Sequence, residues 1–197
     1  MGVQRFGLWI AASLVLGSIV VAQARAAEDE YAAVRETLET CTVCHGENGA
    51  SSQPEFPILA GQHLYYLYVQ MKDFKAERRV SPVMIEFVSI LTKEEMLSIA
   101  KFFSEQEWPD IGYRADPARA RKGETAANFG QCVQCHLGGY EGSSGTPRLA
   151  GQHLAYLEKT MLDFKSKARD NAAAKSSLMK TYSAEDIKRM AEFLAGM

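Results

Sequence analysis

Cys41-Thr42-Val43-Cys44-His45 returns 91 residues later as Cys132-Val133-Gln134-Cys135-His136. At the C-x-x-C-H spacing two sulfurs reach the two vinyl groups of one porphyrin, and the adjacent histidine is held against the iron as its proximal ligand. Cys41, Cys44, Cys132 and Cys135 are therefore expected to bind two covalently attached haem c groups, with His45 and His136 on the iron. A chain built this way handles electrons. Other uses of four cysteines fit less well. A zinc ribbon also pairs C-x-x-C units, but with about 15–20 residues between pairs. Here 87 residues separate Cys44 from Cys132, and a histidine follows each pair. A thioredoxin-like site is a single C-x-x-C near a βαβ pattern, and no such pattern is visible. Two plain disulfides remain an alternative for an exported chain.

The motif lies inside a longer repeat. Pro57-Ile58-Leu59-Ala60-Gly61-Gln62-His63-Leu64 matches Pro147-Arg148-Leu149-Ala150-Gly151-Gln152-His153-Leu154 at an offset of 90, and the match runs on through Tyr66/Tyr156, Met71/Met161, Phe74/Phe164 and Arg79/Arg169. Repeated order at fixed offset is the mark of duplication. Each copy, of about 80 residues, is small for an independent core, and a large enclosed haem would add to it. The pattern is helical throughout, so the fold class expected is all-α, two tandem cytochrome c-like haem domains related by internal duplication. Tyr31–Thr40 and Ala118–Asn128 lead into the two motifs; Leu64–Lys75 and Leu154–Lys165 are apolar and lack Pro and Gly. Thr92-Lys93-Glu94-Glu95 and Ser183-Ala184-Glu185-Asp186 read as capping boxes opening terminal helices Lys93–Gln106 and Ala184–Ala195. Those helices place Met96, Ile99, Ala100, Phe103 and Ile187, Met190, Ala191, Leu194 on one face. The expected division is a signal peptide at 1–26, an N-terminal haem domain at 27–106, a linker at 107–117 around Trp108-Pro109, and a C-terminal haem domain at 118–197.

Arg5, the apolar run Leu8–Ala22 and Ala24-Arg25-Ala26 read as a secretory signal with its cleavage site, and a retained anchor is the alternative. Export outside the cytoplasm agrees with haem c attachment and makes the periplasm the expected location. Without residues 1–26 the chain has 20 basic and 24 acidic residues. It therefore carries no electrostatic footprint for nucleic acid.

A proximal histidine leaves the other face of the iron to be closed or left open. A methionine there closes the site and raises the reduction potential. Met84, after Ser81-Pro82 in an expected irregular segment, is the candidate in the first half. Counting by offset from Met84 falls on Ala174 or Lys175, and Met179 is the nearest methionine in the corresponding pre-helix loop. Met179 is taken as the second candidate, with Lys175 as a minor alternative; Met71, Met96 and Met190 read as core. His63 and His153, each opening a helix after Gly-Gln, suggest a surface or capping role. Pro57 and Pro147 are placed to accept a hydrogen bond from the proximal histidines. Arg79 and Arg169 suit haem propionates or a solvated surface. Gly138–Gly145 reads as a loop wrapping the haem.

These motifs resemble the dihaem cytochrome c4 family: C-x-x-C-H-G at Cys41–Gly46, P-x-L-A-G-Q at Pro57–Gln62, F-x-x-x-x-R at Phe74–Arg79 and Met84, then Cys132–His136, Pro147–Gln152, Phe164–Arg169 and Met179. The resemblance implies His/Met ligation at both haems and domains packed through their haem edges. It implies a soluble or loosely membrane-associated electron carrier, not an enzyme, with redox proteins as partners: a quinol-oxidising complex or periplasmic dehydrogenase as donor, a terminal oxidase or reductase as acceptor. The rival expectation is the haem-bearing subunit of a periplasmic oxidoreductase such as flavocytochrome c sulfide dehydrogenase or thiosulfate dehydrogenase. A weaker third is an enzyme acting at an open second haem, as in peroxidases. Three departures from the family pattern stand out: Leu137 replaces the Gly after the second haem histidine, Glu77 and Lys167 replace a Gly in the F-x-x-G-x-R stretch, and Met179 is out of register with Met84.

Overall fold

The computed structural model of the chain describes residues 30–197, so the expected signal segment lies outside the described residues. Among the described residues all regular structure is helical apart from one isolated bridge, Ser143–Thr146, and no helix is long and apolar enough to cross a membrane. A 3₁₀ turn, Ala32–Val34, leads into α1 (Arg35–His45), followed by α2 (Leu64–Lys75), α3 (Pro82–Ser89) and α4 (Lys93–Ser104). The second half repeats the order with α5 (Pro117–Phe129), the single turn α6 (Val133–His136), α7 (Leu154–Ser166), α8 (Ala173–Met179) and α9 (Ala184–Ala195).

Local signals explain most boundaries. Both expected capping boxes form: Thr92 and Glu95 exchange side chain-to-backbone bonds at 3.2 and 2.7 Å, and Ser183 and Asp186 do so at 3.1 and 3.3 Å. Asp116 caps α5 by accepting from the amides of Ala118 and Arg119, with Pro117 at the first helical position, where its missing N–H costs nothing. Glu77 (φ 53°) and Lys167 (φ 66°) adopt the left-handed backbone that the family's glycine serves.

The two leading helices differ. α1 runs unbroken through Cys41, Cys44 and His45, farther than the expected Thr40, whereas α5 stops at Phe129 and the second motif rides on the separate turn α6. Tyr182 packs at this break: its hydroxyl donates to the Ala126 carbonyl at 3.1 Å and lies 2.2 Å from where a Cβ on Gly130 would stand.

Each half has its own apolar core. Val34, Leu38, Leu67, Phe74, Val88 and the inner face of α4 (Met96, Ile99, Ala100, Phe103) form one; Ala127, Tyr140, Leu157, Phe164, Met179 and the inner face of α9 (Ile187, Met190, Ala191, Leu194) form the other. In the second half α9 crosses α5 so closely that a Cβ on Gly123 would lie 2.0 Å from the Arg189 carbonyl oxygen.

The halves interlock through the repeated Ala-Gly-Gln-His stretch. The Gln62 amide accepts from the Arg148 N–H (2.9 Å) and donates to the Arg148 carbonyl (3.1 Å), while Gln152 makes the same pair of bonds to Ile58 (3.0 Å each). Residues 58 and 148 are repeat equivalents, so the contact is reciprocal. His63 and His153 occupy N-cap positions, yet neither side chain caps its helix. Each donates through Nε2 across the junction, to the carbonyls of Glu141 (2.9 Å) and Ser51 (2.8 Å); His153 is buried. A carbonyl can only accept, which sets the tautomer. Arg79 and Arg169 are likewise drawn into the junction: Arg79 donates to the Tyr156 hydroxyl (2.9 Å), Arg169 to that of Tyr66 (3.4 Å), and both to Gln70 Oε1 (3.0 and 2.8 Å). Trp108, from the segment joining the halves, packs against Gly61, Gly151 and the Arg148 guanidinium.

Two outcomes follow from this packing. Gly123→Ala is expected to cost about 3 kcal/mol, the upper part of the usual overpacking range, because backbone rather than a flexible side chain meets the new methyl; thermal unfolding of the haem-loaded protein reads it, and an unchanged midpoint refutes the close crossing. Burial alone would raise the Tyr156 hydroxyl, but the Arg79 and Arg169 guanidiniums outweigh it and bring it down to about 8. Between pH 8 and the unfolded tyrosine value near 10, unfolding then takes up a proton, so stability rises with pH in that window by at most ~2–3 kcal/mol. Denaturant unfolding of wild type against Tyr156→Phe across pH 7–10 isolates this rise; parallel curves would refute it.

Candidate functional site

His45 closes α1 and is 8% exposed; His136 closes α6 and is 5% exposed. Nδ1 of each lies 2.9 Å from a carbonyl oxygen, that of Pro57 for His45 and that of Pro147 for His136. The proton must sit on Nδ1 to make that bond, so Nε2 keeps its lone pair. Burial pushes His45 below the ordinary histidine value, with Arg79 adding to the effect and the Pro57 carbonyl opposing it. For His136 burial and then the nearby charge of Lys175 bring it down to about 4, against the Pro147 carbonyl. Both imidazoles are neutral at pH 7, the form that binds a metal.

No disulfide links any of the four cysteines. Cys41 and Cys44 stand three residues apart on α1, which puts their sulfurs on one side of the helix that carries His45. Cys132 and Cys135 repeat the spacing over α6. Burial pushes the Cys41 thiol up to about 11 and raises Cys132 as well, the latter against the charge of Lys175. Among the described residues no group of three or more His, Cys, Asp or Glu gathers as a zinc site would require. Two separate sulfur pairs, each beside a buried neutral imidazole with its outer nitrogen pinned, fit two covalently held haems.

The turn after each histidine differs between halves. Gly46 has φ 76° and ψ 168°; Leu137 stands in nearly the same backbone, φ 65° and ψ 172°, a region that is essentially glycine's.

The expected distal residues lie on helices rather than in irregular loops. Met84 is the third residue of α3, partly buried against the first core. Met179 is the last residue of α8, buried within the second core. The polar atom that reaches the second histidine belongs to Lys175: its Nζ is 3.2 Å from His136 Nε2. Sequence reading missed the junction network of Gln62, Gln70 and Gln152. Its one available signal was that Gly-Gln-His recurs in both halves, a conservation within the repeat that neither core packing nor haem attachment explains.

Residues 120–197 match the cytochrome c family. Over an alignment 207 positions long the chain is 32% identical to cytochrome c4 of Stutzerimonas stutzeri, covering 94% of this chain and 97% of that one. The chain belongs to the cytochrome c4 family. The crystal structure of reduced recombinant cytochrome c4 from Pseudomonas stutzeri superposes with a TM-score of 0.76 at 31% identity, over 86% of this chain and 97% of that one. Thiosulfate dehydrogenase TsdBA from Marichromatium purpuratum matches at a TM-score of 0.69 and 25% identity, over 79% of this chain but 36% of that larger one. Like other members of the cytochrome c4 family, the chain is a dihaem electron-transfer cytochrome with tandem haem domains, a carrier rather than an enzyme.

The strained turn yields a prediction. Leu137→Gly is expected to stabilise the protein by about 1 kcal/mol, releasing ~1–3 kcal/mol of backbone strain against ~0.5–1 kcal/mol for the freer unfolded chain. Leu137 is 40% exposed, so little burial is lost. A lowered midpoint in denaturant unfolding would refute the strain.

Proposed function

We propose that the protein is a periplasmic shuttle taking electrons one at a time from a quinol-oxidising complex or a periplasmic dehydrogenase and passing them to a terminal oxidase or reductase. The observation that carries this reading is the pair of buried, neutral histidines, each fixed by a proline carbonyl beside a C-x-x-C pair. Cys41 and Cys44 would bind the first haem, with His45 and Met84 to hold its iron; Cys132, Cys135 and His136 would hold the second. The group itself supplies reversible one-electron chemistry, and the chain supplies ligation, burial and a fixed relation between the two sites. The reciprocal junction supports that last role, because it ties residues 58 and 148, each next to a histidine-holding proline, to the opposite half.

One surface feature supports the second reading, a subunit of a larger oxidoreductase. Val80, Val83, Phe87 and Ile90 recur at helical spacing along α3 and its flanks and are all exposed. Exposed apolar stripes mark interaction surfaces, and a fold of this kind forms part of the larger thiosulfate dehydrogenase chain. Purification from the periplasm at native abundance separates the two readings: a free carrier elutes alone, a subunit with a stable partner.

Met84→Leu is expected to remove the weak near-infrared band of Met-to-iron ligation from the first haem and lower its potential by on the order of 100 mV, a fraction of the ~0.8 V that axial ligands span. Optical redox titration reads both, and an unchanged band and potential would refute Met84.

A further inference from the structure

We propose that the second haem is held on its distal side by Lys175 Nζ, with Met179 serving as a core residue; this rests on the two-haem reading above. The register is the first reason. The repeat offset is 91 at Cys41/Cys132, falls to 90 from Pro57/Pro147 to Arg79/Arg169, and is 91 again at Thr92/Ser183. The structure locates the return to 91 before the short helices, since α3 begins at Pro82 and α8 at Ala173. Ser81 and Ala172 are equivalent N-caps, and their carbonyls accept from Ile85 (2.8 Å) and Ser176 (3.2 Å) respectively, residues also related by 91. At this offset Met84 corresponds to Lys175, each the third residue of its helix. Met179 corresponds to Val88, which is 2% exposed in the first core, and Met179 is 6% exposed in the second.

The contact is the second reason. Lys175 Nζ stands 3.2 Å from His136 Nε2, the nitrogen left free by the Pro147 bond. The amine therefore already faces the nitrogen that would meet the iron. Lys175 is only partly exposed. Coordination uses the amine lone pair, so the ammonium gives its proton to water as the nitrogen–iron bond forms. A nitrogen donor lacks the effect by which methionine raises the potential. The second haem is thus the lower in potential, and an electron rests on the first.

The test uses the full haem-loaded protein. Intact mass and haem absorbance give the haem count; fewer than two per chain overturns the two-haem reading and this proposal with it. With two haems present, proton NMR of the reduced protein is expected to show one strongly shifted iron-bound methionine methyl, and the near-infrared band of the oxidised protein the strength of one methionine-ligated haem. Lys175→Met is expected to double both signals and raise the potential of the lower haem, while Met179→Leu leaves both signals and both potentials unchanged. Two bound methionines in the wild type, loss of one in Met179→Leu, or a second haem that is high-spin and takes up carbon monoxide would each overturn the lysine assignment. Should Lys175→Met not fold, the wild-type spectra and Met179→Leu decide the matter.

Discussion

A hydrogen bond from a buried imidazole to a proline carbonyl occurs twice in this chain, and the arrangement of each half depends on it. A histidine at a helix end could turn either nitrogen inward. With Nδ1 given to Pro57 or Pro147, only Nε2 remains to meet an iron, and the ring plane is held relative to the cysteines one and four residues earlier. Burial keeps that ring neutral, so the bond and the apolar surroundings work to the same end. The prolines in turn begin the Ala-Gly-Gln-His stretch that leads into α2 and α7, so the same segment that orients the histidine also builds the contact between halves.

That junction is polar and reciprocal. Gln62 and Gln152 satisfy backbone groups of the opposite half, and two histidines and two arginines follow the same near-twofold pattern. Each such bond is worth only about 1 kcal/mol net, but removing one partner strands a buried polar group at a larger cost. The halves are therefore fixed in relative orientation more by the penalty for misalignment than by apolar contact. Gln70 breaks the symmetry, accepting from both arginines, and its equivalent in the second half is Thr160.

Duplication has not kept the two sites alike. The first is relaxed: a continuous helix through the motif, glycine in the turn after the histidine, methionine at the third position of α3. The second carries a broken helix, a leucine held in glycine's backbone region and a lysine facing the imidazole. Strain of this kind persists where the surrounding structure over-determines it. Both prolines and both capping boxes are retained, so the divergence lies in the helix leading into the motif, in the turn after the histidine and at the third residue of the short helix that faces it.

Much of this was legible in the residues themselves. C-x-x-C-H is a local constraint, complete within five positions, so the expectation of covalent haem needed no tertiary structure. Capping boxes and 3.6-residue periodicity are local too, which is why Lys93, Ala184 and the buried faces of α4 and α9 stood out in advance. The roles of His63, His153, Arg79 and Arg169 were not legible, because their partners lie about 80–100 residues away and become neighbours only when the halves dock. The distal side of the second haem was undecided for a related reason. One inserted residue between Arg169 and Ala173 shifts the register, and sequence counting cannot say on which side of it a lysine or a methionine falls. Only the tertiary structure, through where α8 starts, puts Lys175 against His136 and Met179 in the core.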